Sequence, residues 1–159
     1  MADKRGSLRV DRLSFQLGMI NCFVEMVACG VKRLAISPPL SPEDYELLRG
    51  ASEKIVEGFA IKSYLERSLM VTALQTSDFT KGKWSVLYYK EDETVEAYLA
   101  LKERMRRIEG AGTRDREAAA EISRAFMRLL GYPDDVIDAK LSRERPTDPY
   151  IYLQGEGES

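Results

Sequence analysis

The sequence predicts a helix-rich α+β fold with a small, mainly antiparallel sheet, and three observations carry that expectation. Long segments place apolar residues at helical spacing. Two short segments alternate with a period of two on either side of a polar connection. Prolines fall between these segments or at a helix start. The 159 residues, 44% of them hydrophobic, suit one domain with a continuous core. Residues 1–154 are read as that domain and 155–159 as a disordered tail.

After a basic lead, the first helix is expected over residues 8–29, stopped by Gly30. Its segment 17–29 is apolar on almost every side, the pattern of a core helix. Asn21, the only asparagine, and Glu25 stand one turn apart there and share a face. Burial would force both to meet a partner, water or a ligand. Cys22 and Cys29 are expected as small buried residues. Seven positions of helix separate them by roughly 10 Å at about 1.5 Å per residue, too far for a disulfide.

Residues 31–36 have the β-branched content of a short strand, and Ser37, Pro38 and Pro39 make a corner. Ser41 then reads as an N-cap, with Pro42 at the first helical position and acids following. The second helix is expected over residues 42–68, with Leu48, Ala51, Ile55 and Phe59 in one line and Val56, Ala60 and Tyr64 beside them. Strands are expected at 70–75 and 84–89, joined as a hairpin through a polar loop containing Gly82.

A third helix over residues 92–109 carries the stripe Val95, Tyr98, Lys102, Met105, Ile108, with acids first and arginines last. A fourth, over 114–130, uses Ala118, Ile122, Ala125, Phe126 and Leu129 until Gly131 and Pro133 stop it. A short helix over 134–141 follows, and residues 149–153 suit an edge strand.

Composition excludes several chemistries. Histidine is absent, which removes the usual base near neutral pH, Ser-His and Cys-His pairs, and imidazole metal sites. With 24 basic and 26 acidic residues, the net charge of -2 gives no general attraction to nucleic acid or to an anionic membrane. The apolar run is too short to span a bilayer, which takes about 20 residues, and Gln16, Asn21 and Glu25 in the would-be hydrophobic region of a signal argue against export. Few Asn, Gln and Cys among many Glu, Lys and Arg resemble a heat-adapted composition. A cytoplasmic location and a homodimer are the matching expectations.

Candidate ligand-binding residues are Asn21, Glu25, Lys62, Trp84 and Tyr89. Glu25 would be a pocket carboxylate with a raised pKa, or the structural partner of a cation from another helix. Trp84 and Tyr89 could stack on a planar ligand, or serve cross-strand packing. Lys102, Arg104, Arg106 and Arg107 form the densest basic cluster, suited to a phosphate-bearing partner or to a solvated helix end. Asp134, Asp135 and Asp138 match no calcium-binding loop, and no metal site or cofactor is named by the sequence.

Residues 129–133, Leu-Leu-Gly-Tyr-Pro after a charged helical stretch, resemble a short motif in a family of uncharacterised archaeal and bacterial proteins. In that family the motif continues with a cysteine pair. Here Asp134 and Asp135 follow, so the resemblance transfers neither a thiol nor a metal role.

The expected function is therefore a non-catalytic small-ligand-binding or protein-interaction module. The rival is a small enzyme using Glu25 and a lysine such as Lys62, with or without a divalent cation. Nucleic-acid binding through residues 102–107 is the weaker third.

Overall fold

The computed structural model describes residues 8–74, 80–112 and 115–143. Among them the chain runs α1 (Arg12–Ala28), β1 (Leu34–Ile36), α2 (Pro42–Gly58), β2 (Lys62–Glu66), β3 (Ser85–Tyr89), α3 (Asp92–Gly110), α4 (Arg116–Leu129) and α5 (Asp134–Leu141). This is a helix-rich α+β fold with a small sheet, in strand order β1-β3-β2, both pairs antiparallel. The edge strand expected at 149–153 and the tail 155–159 lie outside the described residues.

The alternation of β3 sets the layers, because successive strand side chains point to opposite faces. Leu87 and Tyr89 join Leu34 and Ile36 in a core completed by Tyr98 and Leu101 of α3, Ile122 and Phe126 of α4, and Ile137 of α5. Val86 and Tyr88 join Ala35 in a second core with Ile20, Val24 and Val27 of α1, against Tyr45, Ile55 and Val56 of α2. Helices cover both faces, so all five residues of β3 are buried. Two buried oxygens, Tyr88 Oη and Gln16 Oε1, have no hydrogen-bond partner among the described residues. Burial raises the Tyr88 phenol well above the ordinary tyrosine range.

Helix α1 corrects the expectation of an all-round core helix. It buries one stripe, Gln16, Ile20, Val24 and Val27, and leaves Asn21, Cys22, Glu25 and Cys29 exposed. The reason is its place in an outer layer, where a three-stranded sheet and one neighbouring helix can cover only part of its circumference. Its start is later than expected because Asp11 caps it, accepting from Ser14 N at 2.8 Å. Gly30, at φ +79, ends it in the left-handed conformation glycine adopts freely.

The expected start of α2 holds: Ser41 Oγ accepts from Asp44 N at 3.1 Å and Pro42 opens the helix. Its bidentate ion pair, Asp44 with Arg12 at 2.9 and 3.2 Å, fastens it to α1. The helix does not reach residue 68. It ends at Gly58, Ala60 turns the chain at φ +54, and residues 62–66 form β2. Here β2 takes the place beside β3 that the sequence offered to residues 70–75, with Tyr64 opposite Leu87 and Leu65 opposite Val86. The described residues 70–74 are not a strand: Met70, Thr72 and Leu74 alternate inward, but Ala73 N donates to Ser123 Oγ at 3.2 Å instead of to a strand neighbour.

Candidate functional site

The site begins with how α3 is seated. Glu66, at the end of β2, is only 2% exposed, so an unpaired carboxylate there would be costly. Its Oε2 accepts from Tyr98 Oη at 2.6 Å, both oxygens accept from Lys102 Nζ at 2.7 and 2.8 Å, and Oε1 accepts from Ser68 N at 2.8 Å. Tyr98 and Lys102 are one turn apart, so this single carboxylate fixes the rotation of α3 about its axis. Burial, reinforced by the bond to Glu66, lifts the Tyr98 phenol far above its ordinary value and keeps it a donor.

Ala97 and Leu101 precede Tyr98 and Lys102 by one position each, about 100° round the helix, and face α4. With Ala100 and Arg104 they form one wall of a groove; Ala125, Arg128 and Leu129 of α4 form the other. Alanines at three of these positions are too short to close the gap, leaving a cavity of about 440 Å3. Leu101 and Leu129 are buried and make its floor apolar.

Three guanidinium groups line the groove. Arg128 Nε donates to Asp134 Oδ1 at 2.9 Å, which raises the arginine and lowers the aspartate from their ordinary pKa values. Arg104 lies 3.9 Å from Glu121, a long, exposed pair. Arg33, from the segment before β1, has no hydrogen-bond or ion-pair partner among the described residues. Its neighbour Lys32 is tied to the end of α4, donating to the Leu130 carbonyl at 3.0 Å, which holds Arg33 beside the groove.

The residues singled out in the sequence are placed elsewhere. Asn21 and Glu25 are exposed on α1, and no hydrogen bond or ion pair joins Glu25 to Lys62. Lys62 and Tyr89 are cross-strand neighbours, but Lys62 Nζ is engaged by Asp92 at 2.6 Å, which raises its pKa, and Tyr89 is buried in the core under α3. Trp84, bridged to Leu40, belongs to the other side: its ring meets Tyr45 edge-on at 5.5 Å and lies under the Arg67 guanidinium at 5.0 Å. The pleat of β3 thus separates Trp84 from Tyr89.

The basic cluster of α3 divides in the same way. Lys102 turns inward to Glu66, Arg106 and Arg107 are engaged by Glu103, and Arg104 alone reaches the groove. Arg33 and Arg128 escape sequence reasoning because nothing local links them. The available signal was the helical spacing of Ala97, Ala100 and Arg104 beside Ala125 and Arg128, small residues giving way to arginine on two helices.

Among the described residues, no group of three His, Cys, Asp or Glu side chains converges to hold a metal ion, and no helix is long and apolar enough to cross a membrane. Comparison with known protein families, curated proteins and solved structures finds no match to this chain.

Proposed function

We propose that the chain is a non-catalytic small-ligand-binding module whose ligand seats in the groove between α3 and α4. The observation that supports this most is Arg33, a guanidinium with no carboxylate among the described residues, beside an apolar floor. An anion binding there gains a charge-assisted partner without displacing one. The cavity, about 440 Å3, falls in the roughly 300–1,000 Å3 range of small-molecule sites. Among the described residues its lining is alanine, leucine and arginine, side chains that bind and orient but supply neither a nucleophile nor a base near neutral pH.

The test is amide NMR of the full chain titrated with a mixture of small neutral and anionic fragments. Shifts gathered at Ala97, Ala100, Leu101, Ala125 and Leu129 are expected. Shifts confined to α1 or to the surroundings of Trp84 contradict the reading.

Two finer expectations accompany it. Self-association as a homodimer rests on the heat-adapted composition alone, since small heat-adapted domains often gain stability by oligomerising. Light scattering that reports a monomer across a wide concentration range contradicts this. A cytoplasmic, reducing location is supported by two cysteines that are exposed and free.

A further inference from the structure

Resting on that reading of the groove, we infer that its ligand is an aliphatic monocarboxylate, with the carboxylate on Arg33 and the chain along the alanine and leucine floor. Three features narrow the chemistry. Among the described residues the lining holds no aromatic ring on which a nucleobase or other planar ligand could stack. Those residues include no hydroxyl or amide side chain to match the many hydroxyls of a sugar. Its floor of Ala97, Leu101, Ala125 and Leu129 therefore suits a saturated chain.

The charged end is narrowed by counting cations. Arg104 and Arg128 already face Glu121 and Asp134, which leaves Arg33 as the groove cation without a partner among the described residues. One planar guanidinium fork matches the two oxygens of a carboxylate. A phosphate monoester, with close to two charges near neutral pH, would have to draw Arg104 or Arg128 away from its exposed partner, which a carboxylate on Arg33 need not do.

The experiment uses the full chain with octanoate as the probe, and octanol, octyl phosphate and ATP as comparators, followed by amide NMR. Octanoate is expected to give saturable shifts at the groove, with octanol at least tenfold weaker, octyl phosphate no tighter than octanoate, and ATP silent there. Arg33→Met is expected to weaken octanoate about tenfold, and Arg33→Lys to recover only part of that, because an ammonium lacks the fork. Arg33 is exposed, so both variants should melt where the parent does. Tighter groove binding by octyl phosphate or ATP overturns the carboxylate assignment while leaving the groove a ligand site. Equal binding by octanol, or an Arg33→Met variant as tight as the parent, overturns it too. If the fragment mixture shifts the groove and octanoate does not, only the ligand class fails; if nothing shifts the groove, both readings fail.

Discussion

Lys32 and Leu130, 98 positions apart in the chain, are joined by a hydrogen bond of 3.0 Å from the lysine Nζ to the leucine carbonyl. That carbonyl stands at the C-terminal end of α4, where backbone acceptors lack partners and a cation is favoured by the helix dipole. The ammonium also lies over the Phe23 ring at 5.8 Å and the Tyr132 ring at 5.7 Å. Gly131, at φ +86, turns the chain so that Tyr132 can reach this position. The contact ties α1, the approach to β1 and the end of α4 together, and Arg33 is the next residue along.

Replacing Lys32 by Met keeps most of the stem and removes the cation. The expected cost is about 1–2 kcal/mol, the worth of a charged hydrogen bond partly offset by relief of burying the ammonium. Burial holds the Lys32 pKa below the ordinary 10.5. Its destabilising burial term is therefore fully present below the lowered value and fades as pH rises from there towards 10.5. Urea unfolding checks the first figure; a Lys32→Met chain as stable as the parent contradicts it.

The Glu66 cluster should be worth more. Glu66→Gln breaks a pair whose carboxylate side chain is 3% exposed but whose lysine is 33% exposed, so a loss of about 3 kcal/mol is expected, at the low end for buried pairs. Tyr98→Phe should cost about 1.5 kcal/mol, since Lys102 still serves the carboxylate. Urea denaturation of both variants decides this. A Glu66→Gln change under about 0.5 kcal/mol, the size of an ordinary surface substitution, is incompatible with the cluster as described.

Much of the fold was legible where local chemistry was unambiguous. Ser41-Pro42 opens α2, acids precede arginines in α3, and the alternation from Trp84 to Tyr89 describes β3 with both faces covered. Strand β2 was not legible, because Lys62, Ser63 and Glu66 are weak strand formers and Tyr64 continued a helical line. Its pairing is decided by β3, whose paired residues lie 19 to 27 positions further along the chain. The alternating Met70, Thr72 and Leu74 mimicked the missing strand. The groove was hidden for the same reason: Arg33, Arg104 and Arg128 meet only through the packing of α3 on α4.

Helix α1 makes a prediction opposite to a core helix. Cys22 and Cys29 should both react with a thiol reagent in the folded protein, close to the rate seen after denaturation. Glu25→Gln, on the same exposed side, should change stability by no more than about 0.5 kcal/mol. Slow labelling of either thiol in native conditions would place α1 in a core and contradict the layer order.

Glu103 provides a pH signature. Hydrogen bonds from Arg106 and Arg107 hold its pKa at about 2 against the ordinary 4.5. A carboxyl lowered on folding stabilises above its unfolded pKa, and that contribution is lost as pH falls through about 2. A carbon NMR titration should show a midpoint far below 4.5 that rises in strong salt, which screens exposed charges. A midpoint at 4.5 at low salt rules out the Glu103 cluster.

Intermolecular NOEs test whether an aliphatic carboxylate seats in the groove between α3 and α4. The full chain, with labelled alanine and leucine methyls, is saturated with octanoate. Contacts are expected from the octanoate chain to the methyls of Ala97, Leu101, Ala125 and Leu129, lost at the same concentration in Arg33→Met. Contacts to methyls outside the groove, or contacts in the groove that survive Arg33→Met unchanged, would contradict that seating.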